Sequence, residues 1–312
     1  MIAALLATLS SAIWGTSDFI GGLAARRLPP VAVVGWAQVA GLIAVLSAAR
    51  LTGGFGGPTG WIGWSVLAGL IGATGLVVFY TALSLGTMGV VSPIAALGAV
   101  IPVIGGLLHG DSPSGLQFAG MALGLAGAVT ASGPELRGSG GPAPSVAGLS
   151  VAGLSVAGPA SVGPRSAGQS SGGQSAGGRS VVLAAMAGVC FGVALFGIQR
   201  GAQTSPLLTM VGMRVSGVSV FIVIALVTRS TGGVKIRNLP LLAVIGVSDV
   251  GANLLFAAAS TQGMNSTVAV LGSLYPVATV LLGAMLLKER MLPVQRAGVA
   301  LALAGVVLLA LA

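Results

Sequence analysis

Charge is what this sequence lacks most. Asp, Glu, Lys and Arg together make up 6% of its 312 residues, against about 25% in soluble proteins. That shortfall excludes a water-soluble globular domain. Cys190 is the only cysteine, so no internal disulfide can form. His109 is the only histidine, which leaves nothing from which to build a His/Cys zinc site or a His-based nucleophilic dyad. A phosphate-binding glycine loop ending in Gly-Lys is missing as well. No catalytic residue, cofactor or metal is therefore expected. Acidic residues number five against fourteen basic ones, a net charge of +9. In a soluble chain that balance would suggest nucleic acid. Here the basic residues sit mostly between apolar runs, where they report membrane topology instead.

What the chain does have is apolar length. It is 55% hydrophobic with a mean hydropathy of +1.03, and a membrane-spanning helix needs about 20 apolar residues. Ten runs qualify, at roughly 2–21, 31–49, 61–81, 88–108, 115–132, 181–199, 207–228, 239–259, 266–287 and 293–311. They are too long and too uniformly apolar for barrel strands. Met1–Trp14 has neither a basic n-region nor a clear cleavage site and reads as part of the first span. Residues 133–180 change character. SVAGL-SVAGL-SVAGP at 145–159 gives way to Gly/Ser/Gln-rich sequence, the composition of a flexible linker. The expected domains are two five-span units, 1–132 and 181–312, joined by 133–180.

The two units are copies. SPIAALGAVIPVIGGLL at 92–108 and STVAVLGSLYPVATVLL at 266–282 agree at 8 of 17 positions, including Ser92/Ser266, Gly98/Gly272 and Pro102/Pro276. QFAGMALGLAGAVT at 117–130 and QRAGVALALAGVVL at 295–308 agree at 9 of 14. Pro30/Pro206, Gly41/Gly217 and Gly75/Gly251 are each 176 apart. Five spans per copy is odd, so sequential copies must cross the bilayer in opposite senses. The charges agree. Eleven Lys and Arg fall in or beside the loops after spans 1, 3, 5, 7 and 9, and only Arg50 and Arg200 lie on the other side. The positive-inside rule then places the linker in the cytoplasm and both termini outside. The expected fold is an all-α protein of the plasma membrane, with ten transmembrane helices as two inverted five-helix repeats.

Several short motifs make the pattern more specific. Trp14-Gly15, Leu28-Pro29-Pro30, Arg214 within a span, Tyr275-Pro276-Val277, Leu287-Lys288-Glu289-Arg290 and Gln295-Arg296-Ala297-Gly298 together resemble the EamA domain of the drug/metabolite transporter superfamily. The resemblance covers everything but the linker. The first copy departs from it at His109–Asp111, and the second reads Cys190-Phe191-Gly192 where Trp-Gly is expected. The resemblance implies ten helices around a central cavity and alternating-access movement of small organic solutes.

Few side chains inside the spans could carry such chemistry. Asp249 lies mid-span, where a carboxylate costs about 2.5–3.5 kcal/mol on insertion scales, and Asn253 shares its helical face. Asp249 is a proton-coupling carboxylate, or else a structural ion pair or a hydrogen-bonded acid. Arg214 is a clamp for an anionic substrate, a partner of Asp249, or a side chain snorkelling to the interface. Trp14 and Asp18, four apart, suit a cavity wall; alternatively Asp18 is satisfied by Arg26 or Arg27. Tyr80 and Tyr275 need hydroxyl partners when buried, and Pro276 breaks the helix beside Tyr275. The copies disagree at three of these positions. Arg214 faces Gln38, Asp249 faces Ala73 and Tyr275 faces Ile101. The substrate or coupling candidates are therefore Asp249, Arg214, Asp18, Asn253, Tyr275, Trp14, Gln38 and Tyr80. The expected function is secondary transport of a small organic metabolite by an exporter or exchanger, with Asp249 titrating. An uncoupled facilitator is the alternative within that class; an intramembrane enzyme or a membrane scaffold lies outside it. Expected partners are the substrate, the bilayer and protons, with a homodimer allowed and nucleic acid not.

Overall fold

The computed structural model describes residues 1–86, 88–131, 150–151, 154–155, 173–286 and 293–311. Apart from a two-residue antiparallel pair, Ser150–Val151 with Leu154–Ser155, every regular element there is helical. The first half contributes α1 (Ile2–Ala25), α2 (Pro30–Leu51), α3 (Ile62–Leu85), α4 (Met88–Ala96), α5 (Val100–Leu108) and α6 (Gly115–Ala131). The second contributes α7 (Gly173–Ala202), α8 (Pro206–Thr228), α9 (Leu239–Ser260), α10 (Asn265–Gly272), α11 (Tyr275–Leu286) and α12 (Pro293–Leu311). Local chemistry sets several of the starts. Pro30 and Pro206 occupy first helical positions, where a missing N–H costs nothing. Ser205 caps α8 by accepting from the Leu208 amide at 3.3 Å.

Two departures from the sequence reading matter. Seven helices among the described residues are long and apolar enough to cross a membrane, not ten. The expected spans at 115–132 and 293–311 are present as α6 and α12 at nearly those bounds, but their apolar stretches, Gly115–Thr130 and Arg296–Leu311, are shorter than those of the seven. The run 266–287 is divided by Ser273–Leu274 into α10 and α11. The run 88–108 is likewise interrupted by a 3-10 turn at Leu97–Ala99. The interruptions lie three to five residues before Pro102 and two to three before Pro276. Proline there removes one intrahelical donor and crowds the carbonyl one turn back. Secondly, α7 begins at Gly173, so eight residues assigned to the linker extend the helix. Once an apolar helix is nucleated, further residues add at little cost. Most of the 133–180 linker and the Leu287–Arg290 motif lie outside the described residues.

Helices of the two halves interleave. α1 packs on α9, α10 and α11; α3 packs on α7 and α8; α2 packs on α8 and α9; α6 packs on α12. Two apolar layers result. One holds Val33, Phe79, Leu83, Ala184, Phe221 and Leu242. The other, nearer the opposite helix ends, holds Ala7, Val45, Ala68, Ile198, Met210 and Leu271. Polarity is inverted relative to a soluble protein. Leu226 is 72% exposed while Arg214 is 1% exposed, as expected where lipid is the outer solvent.

Glycine permits the closest of these approaches. A methyl group on Gly246 of α9 would collide with the carbonyl oxygen of Ala37 on α2, whereas one on Gly251, five residues on, would meet nothing within 4 Å. Gly246→Ala is therefore expected to destabilise by about 1–3 kcal/mol. Gly251→Ala is expected to stabilise by about 0.5–1 kcal/mol, because alanine loses less backbone entropy in a helix. Thermal unfolding of the two variants in one detergent checks the opposite signs.

Candidate functional site

A polar layer lies between the two apolar ones, and each of its members reaches it for a local reason. Trp14 and Asp18 are one helical turn apart on the inward face of α1. That helix is pinned to α9 by Ser10 Oγ donating to the Ala252 carbonyl at 2.7 Å and Ser17 Oγ donating to Ile245 at 3.1 Å. Asp249 and Asn253 are one turn apart on α9, and Asn253 Nδ2 donates to the Asp249 carbonyl at 2.7 Å. Gln38 comes from α2 and Arg214 from α8, both buried. Tyr275 opens α11 just after the helix break.

Arg214 is fully committed at its tip. Nη2 bonds Asp249 Oδ2 at 2.5 Å, and Nη1 donates to Gln38 Oε1. Its Nε finds no partner among the described residues. This pairing is one of the three roles open to Arg214 in the sequence; the helix continues past it on both sides and the side chain stays inside the bundle. A planar guanidinium is what allows one side chain to serve a carboxylate and an amide together. Asp18 is in a different position. It meets no basic side chain within ion-pair distance among the described residues, and the Tyr80 hydroxyl lies 3.5 Å from its Oδ1, at the outer limit for such a bond.

Two voids adjoin this layer. The larger has a volume of about 70 Å³, and Trp14, Asp18, Asp249, Asn253 and Tyr275 line it. The smaller, about 10 Å³, is lined by Gln38, Tyr80, Arg214 and Asp249. Asp249 and Leu76 border both. All eight residues singled out in the sequence thus come together, but in two groups, and Arg214 is in the smaller. The larger cavity presents carboxylates and aromatic faces, with no cationic side chain among its lining residues.

The hydroxyls are partly spoken for. Tyr275 donates to the Ser92 carbonyl at 3.2 Å, tying α11 to α4. Thr279 Oγ1 donates to Gly15 at 3.2 Å. A methyl on Gly15 would meet Tyr275 and Ala278, so the Trp14-Gly15 motif brings α1 directly against the second helix break. Sequence reasoning missed Phe191 and Ser273, which also line the cavity. Phe191-Gly192 carried a usable signal. It is an aromatic followed by glycine, as in Trp14-Gly15, displaced by one residue from the expected position. A methyl on Gly192 would meet Gly98 and Ile101, the first-copy counterparts of Gly272 and Tyr275.

Comparison with known proteins follows the same lines. The model of the EamA-like transporter family matches residues 1–133 and 178–311. No curated protein matches the sequence. A solved crystal structure, 19% identical, is similar with a TM-score of 0.70 over 99% of this chain and 98% of that one. At that identity the likeness is one of fold.

Proposed function

The chain belongs to the EamA-like transporter family, a family of multi-pass membrane transporters rather than enzymes, and from that premise we propose that it is a secondary transporter whose cavity takes a small organic cation in exchange for protons. The carrying observation is the carboxylate of Asp18, which has no cationic partner among the described residues, on a cavity wall that also holds Trp14, Phe191 and Tyr275. A charged carboxylate away from water costs several kcal/mol unless something balances it. Arg214 balances Asp249. A proton or a substrate ammonium group would balance Asp18, and alternate occupancy by the two is what exchange requires. The aromatic faces suit the body and the cation of such a solute. An anion clamp at Arg214 has less support, because both of its Nη groups are engaged.

The architecture we propose is ten spans in two inverted repeats, 1–132 and 181–312, with the basic end cytoplasmic in the plasma membrane and the termini outside. Packing partners support it. Exchanging the halves turns the α1–α9 contact into α7–α3, and α2–α9 into α8–α3, and both images are present. Positions related by a two-fold axis can touch only near that axis. Gln38 and Arg214, 176 apart, are bonded to each other. α2 also packs on its counterpart α8, and α6 on α12.

A cavity of about 70 Å³ is well short of the roughly 300–1,000 Å³ of typical ligand sites. In this reading it is a closed state, and the breaks at Leu97–Ala99 and Ser273–Leu274 are where the helices bend to admit solute. The test is flux into proteoliposomes under an imposed pH gradient, with an aromatic amine, a neutral amino acid and an organic anion supplied in turn. Gradient-driven amine flux is expected. Flux that ignores the gradient would make the protein a facilitator, and anion flux alone would sink the cation assignment.

A further inference from the structure

A third void, larger than either of those beside the polar layer, lies outside the bundle, at the basic end where α2 meets α8. Its volume is about 420 Å³, within the roughly 300–1,000 Å³ typical of ligand sites. Residue size creates it. α2 presents Ala32, Gly35 and Val39 along one face, while α8 presents Phe221, Ile222 and Ala225. The walls are apolar, and Ile222 is 52% exposed, so the groove opens toward lipid. The rim is polar and fixed. Trp36 Nε1 donates to the Thr231 carbonyl at 3.3 Å, and Gly232, at φ +80°, lets the α8–α9 connection lie against Ala32. Thr228, Ser230 and Thr231 line the mouth.

Among the described residues, the charge around that mouth has one sign. Arg229 sits between two lining residues, and Lys235 and Arg237 follow; all three are exposed. Arg26 and Arg27 precede Pro29, which lines the groove. Of the acidic residues described, Asp18 and Asp249 are buried mid-bundle and Asp111 bonds the Ser266 amide at the opposite end. At that opposite end the gap beside α2 is filled, with Leu207 packed against Gly54. An apolar trough continuous with an exposed cationic rim, at one membrane face only, matches one ligand chemistry. We infer that the α2–α8 groove is a binding site for an anionic glycerophospholipid, with an acyl chain between Val39 and Ile222 and the phosphate at Arg229 and Lys235. The linker is a poor occupant by charge, since residues 133–172 carry Glu135 against Arg137 and Arg165.

The test titrates the full-length protein in detergent with phosphatidylglycerol or with phosphatidylcholine of the same acyl chains, counting bound lipid by native mass spectrometry. Phosphatidylglycerol is expected to bind at least tenfold more tightly. Arg229→Gln/Lys235→Gln is expected to weaken it by about fivefold for each charge removed, while leaving phosphatidylcholine unchanged. Ala225→Phe, which fills the trough, is expected to weaken both. Equal binding of the two lipids, or an Arg229→Gln/Lys235→Gln variant that binds as the parent does, would overturn the assignment. So would displacement by inorganic phosphate alone, or phosphatidylglycerol binding that rises when residues 133–172 are deleted, which would make the linker the occupant.

Discussion

Asp249→Ala alone is expected to destabilise the protein by about 3–5 kcal/mol, and Arg214→Gln/Asp249→Ala to recover most of that loss. The two buried charges are taken out of water together. Removing one leaves the other uncompensated, whereas removing both removes the desolvation cost along with the attraction. The substitutions are chosen from the chain itself, because the first copy carries Gln38 and Ala73 at these positions and packs with them. The single variants should also differ. Arg214 is 1% exposed, while the Asp249 side chain keeps 13% of its surface at the cavity. Stranding the arginine should therefore cost more than stranding the aspartate, so Asp249→Ala should fall further than Arg214→Gln. A double-mutant cycle by thermal unfolding in a single detergent reads all three values. Additive losses would mean that the pair does not act as a unit.

The ease of reading this molecule varied with the range of the interaction concerned. Helix starts at Pro30 and Pro206 follow from one residue's missing N–H. The breaks near Leu97–Ala99 and Ser273–Leu274 follow from Pro102 and Pro276 at matched places in the two copies. These are local effects, and sequence carries them. Asp249 was visible because a carboxylate mid-span is expensive anywhere. Its partner was not fixed by the sequence, which allowed Arg214 several roles, since pairing across 35 residues depends on how α8 and α9 rotate. The Gln38–Arg214 bond was less legible still. The offset of 176 identifies counterparts, but only the packing of α2 on α8 brings those counterparts into contact. Phe191 was passed over because the copies slip by one residue there, and a strict register hides an aromatic wall that the cavity uses twice.

Asp18→Asn is expected to behave in the opposite way to Asp249→Ala. Because Asp18 faces no basic side chain within ion-pair distance among the described residues, removing its charge leaves no cation stranded. Stability should hold or rise, since a neutral amide is cheaper to bury than a carboxylate. Transport should suffer instead. A hydrogen bond to a charged group contributes about 1.5–3 kcal/mol, so loss of the substrate's ammonium partner should raise the apparent KM for an aromatic amine by roughly 10–150-fold. The pH response separates this role from simple damage to the cavity. In the parent, protons and amine compete for one carboxylate, so the apparent KM should climb as pH falls on the substrate side. In Asp18→Asn that dependence should flatten, while Tyr80→Phe, which removes only the hydroxyl 3.5 Å away, should retain it. Should Asp18→Asn keep the parent's pH dependence and Asp249→Asn lose it, the exchange site would move to the ion pair, and Arg214 would then act as the group that releases Asp249 to the proton.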